Sequence, residues 1–393
     1  SRPYFLERAR RDGLYDWSAA AEADRGEPFG TPVLAGRVTL ELGGRAVKFD
    51  REAVYRYADQ ARGEIRRPVV VVPRLELSVS PDVAIWPTGG PAPEIAVDLA
   101  SHVAAPLAGE LTFSGDCGGR APSTIPCRID EARGSASLRG PVPDCPANGT
   151  GRLALTVTAT SGDERSRAAA PLLDYPHVPP SPLRGSDRFE LVRADIRLPQ
   201  LAHVGYVLGA SDKVPELLSE IGVPIQILTA ADLENGDLER FDAIVVGSRA
   251  YETDRALQKA NGRLLDYVRA GGSAIVQYQQ YPFIEGRFAP YALELSRPHG
   301  RITDETAAPK LLVADHPAFT TPNRIGPADW EGWAQERSLY MPSTWEAAYT
   351  PLLELQDPDQ PAQRGGLLVA GLGKGTYVYT GLAFFRQLPA GVP

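Results

Sequence analysis

Along the first half of the chain, apolar and polar residues alternate in short runs, as in Arg37-Val38-Thr39-Leu40-Glu41-Leu42 and Leu153-Ala154-Leu155-Thr156-Val157-Thr158. A period of two sends successive side chains to opposite faces of an extended backbone, so these runs predict strands. Further runs of this kind are Glu52 to Tyr57, Val69 to Val72, Leu75 to Val79, Glu94 to Leu99 and Glu110 to Ser114. Turn residues separate them and no helical period intervenes. The pattern predicts an immunoglobulin-like β-sandwich over 74–175, preceded by a β-rich segment over 1–73 that forms part of a sandwich. A connector with one strand follows over 176–198. It opens on Tyr175-Pro176-His177-Val178-Pro179-Pro180-Ser181-Pro182, where each proline fixes φ and removes a donor.

Beyond residue 200 the period changes. His203 to Leu208, Pro224 to Leu228, Phe241 to Val246 and Ser273 to Gln277 are short apolar runs separated by helical stretches. One such stretch carries Val214, Leu217, Leu218 and Ile221 on one face, and a longer one carries Leu257, Leu264, Leu265 and Val268. Strands joined by helices run parallel with right-handed crossovers, which predicts a doubly wound, flavodoxin-like α/β domain over 199–393. Leu367 to Ala370 and Thr376 to Thr380 flank a glycine-rich turn and read as an antiparallel hairpin.

Composition narrows the function classes. A chain of 393 residues with 43% hydrophobic and 23% charged residues is expected to fold into more than one domain. A net charge of −8, with no run of basic residues longer than Arg66-Arg67, disfavours a nucleic-acid partner. No apolar stretch approaches the roughly 18 residues of a membrane span. The chain opens at Ser1 without a signal-peptide pattern and reads as a fragment of a longer protein. Cys117, Cys127 and Cys145 allow one disulfide with a thiol left over, or three free thiols.

Ligands of open α/β sheets bind outside the carboxyl ends of the strands. That rule selects Ser211 and Asp212 after the first α/β strand, Ser248, Arg249 and Tyr251 after the third, and Gln277 and Tyr278 after the fourth as ligand-binding candidates. Helix capping is the competing role for Ser211 or Asp212. Asp329 to Tyr340 combines two tryptophans with charges. It is expected either to close over the strand ends, with Trp333 offering a flat face and Arg337 pairing with Glu336 or Asp212, or to bury a structural ion pair. Gly247-Ser248-Arg249-Ala250-Tyr251 lacks the second glycine of a G-x-S-x-G elbow. The glycines around Lys374 lack a phosphate loop's first glycine, since Leu368 stands there. His102, His177, His203, His299 and His316 form no metal-ligand pair at HxH or HExxH spacing, so no metal residue is assigned.

Several stretches form a set: Pro3-Tyr4-Phe5-Leu6 with Gly13-Leu14-Tyr15-Asp16-Trp17, Tyr55 to Glu64, Gly209 to Pro215, Gly247 to Tyr251, Trp333 to Arg337, and Tyr379 to Pro393. Together they resemble the C-terminal region of large bacterial PIG-L (LmbE-like) family deacetylases, and the α/β domain resembles the class I glutamine amidotransferase-like fold in its ThuA-like branch. That resemblance implies a zinc-dependent N-acetylglucosaminyl deacetylase domain upstream as a partner, with zinc only there and no cofactor in this chain. It also implies a periplasmic or extracellular location. The AHPDD-type metal motif is missing and Gln277-Tyr278 stands where an amidotransferase carries its cysteine, so no catalytic residue is carried over.

The expected function is a non-catalytic accessory region that binds glycan or braces the deacetylase. A structural or oligomerisation scaffold is the alternative. A second is hydrolase activity of the α/β domain itself through Asp212, Arg249, Glu336 or His316, should these converge within hydrogen-bond reach.

Overall fold

The structure is a computed structural model. It describes residues 5, 8, 14–18, 20–27, 30–115, 122–142, 151–169, 172–175, 177–178, 180–182 and 185–392. Cys117 and Cys145 lie outside the described residues, as do Pro3, Tyr4, Leu6, Gly13, Pro176, Pro179 and Pro393 from the stretches above. Cys127 is a free thiol whose pKa burial raises. The chain forms two compact units, one drawing on 1–82, 94–146 and 154–190, the other on 83–93, 147–153 and 191–393.

The first unit begins with two separate hairpins. Ala35–Leu42 pairs with Arg45–Glu52, and Gly43 and Gly44 at φ 58° and 77° supply the two left-handed residues that a tight two-residue turn needs. Val54–Asp59 pairs with Gly63–Pro68. The expected run from Glu52 to Tyr57 is therefore broken at Ala53, whose N–H donates to the Leu34 carbonyl. Each hairpin is a two-stranded sheet of its own, hydrogen-bonded to no larger sheet. The alternation sorts the first hairpin cleanly: Val38, Leu40 and Leu42 share a face with Val47 and Phe49, and Arg37 pairs bidentately with Asp50 on the other.

Two larger antiparallel arrays follow in this unit. Leu75–Ser80 pairs with Glu94–Ser101, which pairs with Ser135–Pro141. Gly151–Ser161 pairs with Leu107–Gly115, which pairs with Ser123–Ile129. Alternate residues are buried along them, Leu75, Leu77 and Val79 in one and Leu155, Val157 and Ala159 in the other.

Elements of the second unit from residue 204 onward are numbered from its first parallel strand. In chain order they are β1 (Val204–Val207), α1 (Val214–Glu220), β2 (Ile225–Ile227), α2 (Ala230–Asn235), β3 (Ala243–Val246), α3 (Ala250–Thr253), α4 (Arg255–Ala270), β4 (Ser273–Gln277), α5 (Tyr281–Glu285), β5 (Leu293–Ile302), α6 (Pro317–Thr320), β6 (Ser338–Trp345), β7 (Tyr349–Pro351), β8 (Leu367–Leu372), β9 (Gly375–Thr380) and α7 (Phe384–Gln387). The main sheet runs β2-β1-β3-β4-β9-β8-β7. Its first five strands are parallel, and β8 and β7 are each antiparallel to the strand before them in that order. From β1 the chain moves one way to β2 and then back across to β3, so the strand order reverses between β1 and β3. β5 and β6 pair outside this sheet, with register slips between Leu295 and Gly300 around Arg297-Pro298.

All four residues of β1 are buried, as befits a strand covered on both faces. Asp254 caps α4 by accepting from the N–H groups of Ala256 and Leu257, and Gly271 at φ 134° ends it. Leu257, Ala260, Leu264 and Val268 make its buried stripe at helical spacing. Among the described residues no helix is long and apolar enough to cross a membrane.

Leu264 is 1% exposed within the core that α4 builds with β3, β4 and β9. Leu264→Ala is expected to lower the unfolding free energy by about 2–5 kcal/mol through lost burial and a residual cavity. Urea denaturation of the second unit's transition measures it, and a loss below about 1 kcal/mol would show that α4 does not pack as described.

Candidate functional site

The loops after β1 and β3 meet closely. A Cβ at Gly209 would fall 2.3 Å from the Ser248 carbonyl oxygen, and one at Gly247 would fall 2.2 Å from Asp212 Oδ2. Within that contact the Ala210 N–H donates to the Ser248 carbonyl at 3.0 Å. The Asp212 carboxylate accepts from the Tyr206 hydroxyl at 2.8 Å, the Gly209 N–H at 3.2 Å and the Val214 N–H at 3.0 Å. Gln277 Nε2 in turn donates to the Tyr206 hydroxyl at 2.8 Å. Burial, then the adjacent Asp212, pushes the Tyr206 pKa far above its ordinary value, so it remains a hydroxyl.

These bonds bring together Asp212, Ser248, Arg249, Gln277 and Tyr278, since the Arg249 N–H also donates to the Tyr278 carbonyl at 3.0 Å. Most of this polarity is spent internally. Ser248 and Gln277 are buried, and Asp212 serves the loop. Ser211 is exposed in a left-handed conformation at φ 52°. Tyr251 is core rather than site: its ring stacks on Phe288 with centroids 4.8 Å apart and its hydroxyl donates to Asn261 at 2.6 Å.

The Trp segment requires correction. Trp333 is 7% exposed, packs against Trp330 and Phe384, and donates from Nε1 to the Asp329 carbonyl, so it offers no free face. Arg337 pairs with neither Glu336 nor Asp212. It lies over the Trp333 ring, donates to the Trp330 carbonyl, and has its pKa lowered by burial. The reason is local: the turn through Gly332 and Gln335, with φ of 71° and 69°, folds these side chains into the cluster around Phe319 and Leu352.

Glu336 is the segment's contribution to the strand ends. Its buried carboxylate accepts from Arg301 Nη2 at 2.6 Å through one oxygen and from Arg386 Nε at 2.9 Å through the other. Beside this triad four rings pack in sequence, the first three stacked and Phe385 tilted at 47° to its neighbour. His299 lies 3.8 Å from Tyr340 at 6°, Tyr340 lies 5.7 Å from Tyr278 at 15°, and Tyr278 lies 5.1 Å from Phe385. Arg249 flanks the stack, donating from Nε and Nη2 to Glu252 at 3.2 and 3.0 Å. Arg249 and Tyr340 hold left-handed backbones at φ 61° and 48°, uncommon for side chains of this size. Burial raises the Tyr278 pKa and also that of Tyr340, so both present neutral hydroxyls. Burial, helped by Arg301, lowers His299.

His299, Phe385, Arg301 and Arg386 thus join this edge without having been sequence candidates, while Tyr340 ends the segment expected there. Asp212, Arg249, Glu336 and His316 do not form a catalytic group: among the described residues no hydrogen bond or ion pair joins any two of them, and His316 Nδ1 accepts from the Ala318 N–H. Among the described residues no three His, Cys, Asp or Glu side chains are placed to hold a metal ion.

No family model and no curated protein matches the chain. Solved structures that match include Gan42B, a GH42 β-galactosidase from G. stearothermophilus, at 13% identity and TM-score 0.27, covering 48% of this chain and 29% of that one. The exo-β-1,4-mannosidase Op5Man5 from Opitutaceae bacterium strain TAV5 matches at 8% identity and TM-score 0.29, with 48% and 32% covered. A β-galactosidase from the Antarctic haloarchaeon Halorubrum lacusprofundi matches at 13% and 0.26, with 48% and 29% covered. The chain spans about a third of the length of these structures or less. The resemblance to PIG-L deacetylases and to ThuA-like amidotransferase domains is thereby corrected, because the structures named above are of neither kind and no family model matches the chain. At such TM-scores the likeness fixes neither fold nor function.

Because His299 sits below the ordinary imidazole range, the unfolded chain takes up its proton more readily than the folded one. Its contribution to stability is therefore full above about pH 6.5 and lost as the pH falls through the folded value. Thermal melts of the wild type and His299→Phe at about pH 7.5 and pH 5 are expected to show the wild type losing more on acidification. Equal losses would remove His299 as the cause.

A second expected effect concerns Tyr206. Tyr206→Phe leaves Gln277 Nε2 and Asp212 Oδ2 without the hydroxyl between them, an expected cost of about 1–3 kcal/mol in urea denaturation. A neutral result would mean that water or a new contact satisfies both groups.

Proposed function

We propose that this chain is a non-catalytic accessory region whose second unit binds glycan, carried on an immunoglobulin-like first unit and a flavodoxin-like second one. The observation that carries the reading is the stacked, partly exposed pair His299 and Tyr340, backed by the buried Tyr278 ring, with Arg249, Arg301 and Arg386 around it. Rings supply apolar contact to the C–H faces of a sugar, and hydroxyl and guanidinium donors fix its orientation. The left-handed backbones at Arg249 and Tyr340 support the reading, since such conformations concentrate at ligand sites.

The scaffold reading keeps one specific observation in its favour. Val38, Leu40, Leu42 and Phe49 lie exposed on one face of the first hairpin, at 52%, 44%, 60% and 40%. A face of that kind suits burial against another protein surface.

The test is a screen of neutral and acidic oligosaccharides by titration calorimetry, with Tyr340→Asn as the variant. Asparagine tolerates φ near 48° far better than most residues, so the ring is removed while the backbone turn is kept. A weakening of about tenfold or more is expected, in line with the loss of an aromatic contact. Absence of binding by any oligosaccharide, or binding unchanged in Tyr340→Asn, overturns the proposal.

A further inference from the structure

The charges around the ring stack do not balance. Glu336 is one carboxylate, 2% exposed, shared by two guanidinium groups, Arg301 and Arg386, so the triad keeps one net positive charge. Arg249 and Glu252 cancel each other. This local excess sits on a chain whose net charge is −8.

The donors are also incompletely used. A guanidinium carries five N–H groups. Arg301 commits only Nη2 and Arg386 only Nε to Glu336, leaving Nε and Nη1 of the first and both terminal nitrogens of the second without a hydrogen-bond partner among the described residues. The two side chains remain 51% and 35% exposed, so these donors reach solvent. Glu336, fixed at the rear by burial and by two charge-assisted bonds, holds both forks in place before a ligand arrives. Arg386 lies over the Phe385 ring at 4.9 Å, which restrains it further.

We infer that the ligand of this edge is an acidic sugar, a uronate whose carboxylate takes the free donors of Arg301 and Arg386 while its ring lies against the partly exposed His299 and Tyr340 rings. The inference rests on the glycan-binding reading and names its substrate class. A carboxylate matches two preset guanidinium forks in geometry and compensates the unpaired charge. A neutral sugar leaves that charge in place and replaces its water with weaker acceptors.

Digalacturonate, its methyl ester and inorganic phosphate serve as probes on the full chain. The acid and the ester share size and ring geometry and differ in charge. Digalacturonate is expected to bind about tenfold or more tightly than the ester, with the advantage shrinking as salt is raised. Arg301→Gln is expected to bring the ratio of acid to ester affinity down towards one, whatever it does to the binding of either alone. The comparison of acid with ester on the unaltered protein needs no variant, so a folding defect in Arg301→Gln does not blunt the test. Equal binding of acid and ester overturns the acidic-sugar inference and leaves the glycan reading standing. If phosphate displaces digalacturonate at a comparable concentration, the site recognises an anion without a sugar, and the inference falls. Binding of neither sugar overturns both.

Discussion

The approach of two loops, at the point where the strand order reverses, sets the character of this edge. The Asp212 carboxylate is the fastener, because it receives the Tyr206 hydroxyl from within the sheet and the N–H groups of Gly209 and Val214 from its own loop. Gly209 and Gly247 are required there, since a side chain at either would collide with backbone or with the carboxylate itself. Polar groups that an open sheet would offer to a ligand are thus used to close the sheet's own end. The proposed recognition surface lies outward of it, on the loop after β4 and on residues of β5, β6 and α7.

That displacement explains the backbone strain. Arg249 and Tyr340 hold left-handed conformations that cost each of them on the order of 1–2 kcal/mol. Specific bonds hold them there. The Arg249 N–H donates to the Tyr278 carbonyl, and the Tyr340 carbonyl accepts from the Tyr379 hydroxyl at 3.0 Å, reaching back to β9 in the main sheet. Both tethers end on residues of, or next to, the parallel strands. The ring stack is therefore positioned by the rigid part of the unit, although it lies among loops and an irregular strand pair.

What the sequence reveals follows from how local each signal is. β1, β3 and β4 are runs of four or five residues, β1 wholly buried and the other two at every second residue or more, and their apolar centres are visible without any partner. The α4 stripe is equally plain, with an aspartate before it and a glycine after it. β5 is not, because Pro298 and Gly300 interrupt its alternation and its pairing with β6 slips register around them. His299 and Arg301 flank that Gly300, so the residues nearest the stack lie where the pattern is weakest. Tyr278 is legible from its place after β4, whereas Arg301 and Arg386 come together only through Glu336, 35 and 50 residues away in the chain. Trp333 and Arg337 misled because an aromatic beside a charge looks the same in sequence whether it faces solvent or core.

The Glu336 triad is the feature least explained by stability. Withdrawing a carboxylate from water costs several kcal/mol, and apolar replacements of buried ion clusters are often no less stable. Here the desolvated member is Glu336 alone, while Arg301 and Arg386 keep much of their surface in water. The expense falls on the group that a ligand would not touch, and the freedom stays with the groups that it would. A buried anchor holding two exposed, half-satisfied forks is the arrangement expected of a surface preorganised to receive a further carboxylate.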